Sequence, residues 1–237
     1  MKYVLTLLLF VVCFGCKPEA IDKANPTVLL REISVNGKTD QIFEYDGVVL
    51  TKEKSFGVCD KNPTDEVAYL YQNDKLSQLS TITRALYSNS AAQCDPATGL
   101  HLDETYEYDN QNRIIKVTRI TSYTEYYYNA NGKVEKQILY GGSSPAVSTF
   151  TYDSKGNLIQ TTDPSGNTTQ YQYDDKINPF YVINQRPGWI SAFNISPNNV
   201  IQATGSDNFT RKFEYNAEGL PSQLLDSNGL TYTYHYN

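Results

Sequence analysis

The sequence predicts an all-β protein: stacked antiparallel β-hairpins forming one extended, twisted sheet, or that sheet curved into an open roll. Three observations carry this. An aromatic-x-aromatic pair recurs along the chain, and on a strand residues two apart point to one face. Most copies are followed by Asp or Asn, and in several Gly stands three residues later, as in Asp153-Ser-Lys-Gly156 and Asn216-Ala-Glu-Gly219. That is a type I turn with a left-handed residue leading into the return strand. The second aromatics fall at Tyr45, Tyr71, Tyr108, Tyr128, Tyr152, Tyr173, Tyr215 and Tyr234, and the shortest steps are 20, 24, 21 and 19 residues. A step near 20 is the length of one two-stranded hairpin.

Taken in order, residues 1–15 read as a secretory signal. Lys2 supplies the positive start, Tyr3 to Phe14 an apolar run too short to span a bilayer, and Gly15-Cys16 a lipobox-like end. Cys13 and Phe14 depart from the usual lipobox, and an ordinary cleaved signal with Cys16 incidental is the alternative. The lipoprotein reading is preferred because no competing A-x-A site lies nearby. Cys16 is then the lipid attachment site, and polar residues 16–27, with two prolines, are its tether.

The β domain covers 28–237. Val28 to Val35 and Lys38 to Tyr45 flank Asn36-Gly37, a two-residue hairpin signal. Asp46-Gly47 turns into Val48 to Phe56. A loop over 57–65 precedes Val67 to Tyr71 and Leu76 to Leu86, paired around Asn73-Asp74. A second loop spans 88–99. Cys59 and Cys94 lie in these two loops, and in an oxidising compartment they are expected to form a disulfide; two unpaired thiols are the alternative. From Tyr106 onward the repeat is regular, with aromatic pairs expected to stack into a ridge. Residues 174–200 break the rhythm. They contain three prolines and Trp189, the single tryptophan. This reads as a packed excursion with a short helix near 189–195, covering one face or end of the sheet.

The units Tyr-x-Tyr-Asp-x-x-Gly-x-Leu resemble the YD repeats of Rhs-type bacterial surface and toxin-shell proteins. The whole chain more closely resembles a Bacteroidota YD-repeat (Rhs-like repeat) lipoprotein family of unknown function. The signal, the lipobox-like Cys16, Asn178-Pro-Phe180 and Ser196-Pro-Asn-Asn-Val200 carry that likeness. It implies an exported, lipid-anchored β protein of the outer membrane, at its periplasmic face or on the cell surface, and it implies no enzyme activity.

Composition narrows the function. The net charge is −6 and the pI about 5.0, which argues against nucleic acid as a partner. The 20 tyrosines, against one methionine, suit a sheet face that is half wet. The strands are too polar on both faces for a membrane-spanning barrel. His101 and His235 stand without ligand-spaced neighbours, so exposed strand histidines are expected rather than a catalytic base or zinc ligand. Asp174 and Asp175, with Asn178, are the one carboxylate group weighed for calcium. Asp174 is better read as a turn residue and Asp175 as solvated. No catalytic residue, metal or cofactor is expected. Phe180, Tyr181, Trp189 and Phe193 are the candidate binding cluster. The expected function is a non-catalytic lipoprotein that binds a protein or glycan through an aromatic sheet face; the alternative is an envelope scaffold with no small ligand.

Overall fold

The computed structural model describes residues 28–57, 62–84, 99–183 and 187–237. The signal, the tether with Cys16, and both Cys59 and Cys94 lie outside them. Sixteen strands form an antiparallel, closed barrel. In order they are β1 (Leu30–Val35), β2 (Lys38–Asp46), β3 (Val49–Ser55), β4 (Asp65–Gln72) and β5 (Lys75–Thr83). Next come β6 (Leu100–Tyr108), β7 (Ile114–Thr118), β8 (Tyr123–Tyr128), β9 (Val134–Tyr140), β10 (Ala146–Tyr152) and β11 (Leu158–Thr162). The chain continues through β12 (Thr168–Ile177), the helices α1 (Pro179–Ile183) and α2 (Ala192–Ile195), and β13 (Asn198–Gly205). It ends with β14 (Phe209–Tyr215), β15 (Pro221–Asp226) and β16 (Thr231–Tyr236).

The closed barrel corrects the expectation of an extended sheet or open roll. β1 pairs with β16, with Ile33 opposite Tyr234 and Ser34 opposite Thr233. Hydrogen bonds between Leu29 and Asn237 lock one end of this seam, and bonds between Asn36 and Thr231 lock the other. The physical reason is a repeated bulge. In all seven hairpins from β2–β3 to β14–β15, the register shifts just before the second aromatic: at Tyr45, Tyr71, Tyr108, Tyr128, Tyr152, Tyr173 and Tyr215. Each bulge bends its strand and raises the local twist. All seven occur at one end of the barrel, so their bends add until the two edges meet. Closure also removes the exposed edges that an open sheet would have to protect.

A second repeated device is the turn. In Asp153-Ser-Lys-Gly-Asn157, the Asp153 Oδ1 accepts from the amides of Lys155 and Asn157, and Gly156 takes a φ of +88°. The same pair of bonds recurs at Asp109, Asn129, Asp163 and Asp226. The fourth residue of these turns is left-handed, a conformation glycine adopts at no steric cost.

The aromatic pairs point inward. Phe43, Tyr69, Tyr106, Tyr126, Phe150 and Tyr234 are buried in the core. The second aromatics do not stack into the expected ridge. Their hydroxyls instead donate to backbone carbonyl oxygens on a neighbouring hairpin: Tyr45 to Leu30 at 2.7 Å, Tyr108 to Leu76 at 2.8 Å, Tyr128 to Ile114 at 2.6 Å and Tyr152 to Val134 at 2.9 Å. Tyr71, Tyr173 and Tyr236 do the same to Leu50, Leu158 and Pro221. The last unit is therefore Tyr234-x-Tyr236, two residues later than the sequence pattern gave. A cation lies over several of these rings: Arg31 over Tyr45, Arg113 over Tyr128 and Lys133 over Tyr152. Each second tyrosine thus ties one hairpin to the next by its hydroxyl, its ring and its apolar body.

The outward face carries cross-strand ion pairs, Lys54 with Glu44, Lys52 with Glu66 and Lys116 with Glu107. A lysine facing lipid at mid-bilayer costs about 2–4 kcal/mol, so this wall suits water. Among the described residues no helix is long and apolar enough to cross a membrane.

Candidate functional site at the plugged mouth

The excursion between β12 and β13 enters and leaves at the bulged end of the barrel and folds into its mouth. Buried amides hold it there. Asn178 caps α1 through its Oδ1, which accepts from the Phe180 amide at 3.0 Å. Pro179 then fills the first helical position, where a missing N–H costs nothing. The Asn178 Nδ2 donates to the carbonyl oxygens of Phe193 (2.5 Å) and Ser196 (2.9 Å), tying α1 to the end of α2. Ser191 caps α2, accepting from the Phe193 amide.

A second set of bonds anchors the return. The Ser196 hydroxyl donates to Tyr173 Oη at 2.9 Å and accepts from the Leu158 amide. Asn157, 1% exposed, donates to Asp153 and to Asn198 Oδ1, and its own Oδ1 accepts from the Asn198 amide. Asp174 accepts from the Asn199 amide, from Asn199 Nδ2 and from the Tyr215 hydroxyl. Asp174 is therefore not a turn residue: β12 runs on to Ile177, and the carboxylate is the hub of a clamp. Burial first, and then this bond to Asp174, raises the Tyr215 hydroxyl well above the usual phenol range. Buried polar groups persist only when partnered in this way.

The excursion reaches the opposite wall. Tyr126 donates to the Gly188 carbonyl oxygen at 2.5 Å. Gly188 has a φ of +84°, and a Cβ there would lie 3.0 Å from Val117 Cγ2, so the contact requires glycine. The expected helix near 189–195 shortens to α2, and α1 was not foreseen. The four candidate aromatics have different surroundings. Phe180 meets Phe43 edge-on at 6.3 Å. Phe193 lies 5.8 Å from Phe209 and 4.3 Å beneath Arg211. Tyr181 is exposed. Trp189, 54% exposed, borders a 240 Å³ cavity beside Glu104 and Arg119, which pair at 2.7 Å.

A larger cavity of about 590 Å³ opens between the excursion and the wall formed by β4 to β9. Sequence reasoning missed it, because its two sides, Tyr71 to Val134 and Pro187 to Ile195, are separated by more than 50 positions of chain. Tyr71, Tyr108 and Tyr128 form its aromatic side; Leu76, Ile114, Val134, Ile190 and Ile195 form its aliphatic floor. Asn73, Asp74 and Lys75, with Asn112 and Arg113, stand at its rim. Burial pushes the Tyr128 hydroxyl up to about 12 despite the Arg113 guanidinium nearby. Tyr126 also rises to about 12, burial again outweighing Arg119. These phenols stay neutral at physiological pH and act as fixed hydrogen-bonding walls. Arg113 is held by Asp109 at 2.6 Å, and the backbone hydrogen bond from Arg113 is the largest influence lowering the Asp109 carboxyl below its ordinary range. The one local sequence signal for the rim was three non-glycine turn residues now seen at positive φ, Asn73, Asp74 and Asn112.

The remaining candidates sit apart. His101 is exposed on the outer face of β6. His235 lies on β16 with Nε2 3.3 Å from Ser34 Oγ at the closing seam. Asp175 pairs with Lys176 at 3.2 Å in solvent. Among the described residues no group of three or more His, Cys, Asp or Glu side chains could hold a metal ion.

Residues 17–237 match the sequence model of a family described as the teneurin YD-shell. Among curated proteins, the tRNA nuclease WapA of Bacillus subtilis (strain 168) is 27% identical over 124 residues, covering 47% of this chain. The tRNA(Glu)-specific nuclease WapA of Bacillus subtilis subsp. natto (strain BEST195) matches to the same extent. This chain spans only 5% of the length of those relatives. Among solved structures, a porin-like protein from Bacteroides uniformis ATCC 8492 aligns with a TM-score of 0.46 and 11% identity, over 88% of this chain and 98% of that one. The TcdB2-TccC3-Cdc42 structure aligns at 0.34 and 10% identity, over 80% of this chain and 9% of that one.

Proposed function

Because this chain belongs to the teneurin YD-shell family, we propose that its barrel is a rigid, non-catalytic scaffold for a binding site at the plugged mouth. The repeats build the wall and the excursion builds the site. In this reading the protein is exported, anchored through lipidated Cys16 and held at the outer membrane, where the mouth takes a protein segment or a small envelope molecule. One observation carries it. The 590 Å³ opening has the size and mixed lining of a small-ligand site, and such sites span roughly 300–1,000 Å³. The aromatic sheet face first expected to bind is turned inward, and its hydroxyls are committed to neighbouring strands. The nuclease activity in the WapA names belongs to those proteins.

A soluble form, residues 17–237, tested against envelope extract and a panel of small envelope molecules is expected to bind saturably. Binding is expected to fall with Asn112→Gly, which clears one rim side chain without disturbing the turn. An unchanged affinity in that variant would move the site elsewhere. The tyrosine-to-carbonyl bonds favour a second reading, a pure envelope scaffold, which predicts no saturable ligand at all. Lipid labelling of the wild type, lost in Cys16→Ala, tests the anchor.

A further inference from the structure

We propose that the mouth cavity binds a short apolar peptide, an inference that rests on the mouth being the binding site. Five aliphatic side chains form the floor, Leu76, Ile114, Val134, Ile190 and Ile195, with Tyr71, Tyr108, Tyr126 and Tyr128 lining the cavity beside them. A sugar would press hydroxyls against that floor with nothing to pair them, whereas leucine-like side chains fill it favourably. The rim has the opposite character. Asp74 and Lys75 are adjacent, yet neither forms an ion pair with the other or with any described residue. Lys75 Nζ sits 5.6 Å from the Tyr108 ring centroid, above the cavity. Arg113, the other rim cation, is already bound by Asp109.

The available charge is thus one cation and one anion, a match for a zwitterion. An anionic ligand would meet Asp74 unfavourably, and a cationic one Lys75. The side chains of Asn73, Asn112 and Asn194 make no hydrogen bond within the described residues. Each offers both donor and acceptor, as a peptide group requires. A peptide of a few apolar residues has this whole set: a carboxylate for Lys75, an ammonium for Asp74, amides for the asparagines and alkyl groups for the floor. The volume of about 590 Å³ suits that size.

Calorimetric titration of residues 17–237 with trileucine tests it, using N-acetyl-trileucine, trileucine amide and cellotriose as further arms. Trileucine is expected to bind saturably. Blocking either terminus is expected to weaken binding roughly three- to fivefold, the scale of an exposed ion pair. The amide penalty is expected to vanish in Lys75→Ala and the acetyl penalty in Asp74→Asn. Asp74 lies in an exposed turn at a positive φ that asparagine tolerates, and Lys75 is the exposed first residue of β5, so the fold is retained. Saturable cellotriose binding without trileucine binding overturns the peptide assignment and leaves the mouth as a binding site. Trileucine binding indifferent to both variants overturns the assignment of the rim charges. Silence from every probe, together with no capture from envelope extract, overturns both this inference and the reading beneath it.

Discussion

The wall from β6 to β11 and the clamp around the excursion solve the same problem by opposite means. In the wall, each unit is joined to the next by a tyrosine hydroxyl on a main-chain carbonyl, as Tyr128 on Ile114 and Tyr152 on Val134. Any residue supplies that carbonyl, so the unit can be copied. In the clamp, side chain meets side chain: Asn157 with Asn198, Ser196 with Tyr173, and Asp174 with Asn199 and Tyr215. Nothing there can be exchanged singly. Tyr215 marks the border between the two. It occupies the position of a wall tyrosine, but its hydroxyl has turned from the main chain to Asp174. The wall gains repeatability and the clamp gains a unique plugged state.

The largest expected effect is at high pH, where the wall contributes many tyrosines. Burial raises the wall tyrosines, with Tyr126 and Tyr128 at about 12. A phenol raised above its unfolded value near 10 contributes stability that is full below pH ~10 and lost as pH climbs through the folded value. At pH 11 each such tyrosine forfeits about 1 kcal/mol, and several act together. Cooperative unfolding between about pH 10 and 12 is expected, with tyrosinate absorbance rising in step with loss of sheet signal. Gradual ionisation of an intact barrel would contradict it.

Next in size is the clamp. Asn178→Ala leaves the Phe193 and Ser196 carbonyls without their donor and uncaps α1. A loss of about 3 kcal/mol is expected in denaturant unfolding, larger than for any single wall hydroxyl. Smaller again is the contrast across the border. Tyr152→Phe removes a neutral bond and is expected to cost about 1 kcal/mol, whereas Tyr215→Phe removes a bond to a carboxylate and about 2 kcal/mol. Equal costs would erase the distinction between wall and clamp.

These two regions also differ in how far the sequence revealed them. Aromatic pairs, Asp-x-x-Gly turns and the 20-residue step are local, so the hairpins, the strand positions and the turn at Asp153 were readable from residues alone. Closure was not. It depends on seven small bends adding over the whole chain and on Ile33 meeting Tyr234. The inward direction of the ring face was equally hidden, because period two gives a shared face without saying which side is buried. At the site, Asn178-Pro-Phe180 and Ser196-Pro-Asn-Asn-Val200 were visible as unusual segments. Their roles rest on partners such as Asn157 and Asp174 that no spacing rule connects to them. The aromatics of the excursion drew attention to Trp189, while the larger cavity was formed by aliphatics and turn residues that look ordinary one by one.

The smallest expected effect lies on the acid side. Asp109 is held low chiefly by the Arg113 backbone amide, and Asp163 by the Asn167 side chain. Each contributes stability present above the unfolded carboxyl value near 3.9 and lost as pH falls through the lowered one. A shallow decline in melting temperature below pH 4, reduced in Asp163→Asn, is expected. A steep acid transition would place the critical carboxylates elsewhere.

The closed barrel is tested most directly at its seam. Ser34 on β1 and Thr233 on β16 are opposite one another, though 199 positions apart in the chain. Directly opposed strand residues have Cα atoms about 4.5–5.5 Å apart, within disulfide reach. In a variant carrying Ser34→Cys and Thr233→Cys, mild oxidation is expected to form the 34–233 crosslink in the monomer, detected by peptide mapping. An open sheet would hold these strands at opposite edges. Free thiols at both positions after oxidation of the folded protein would contradict closure.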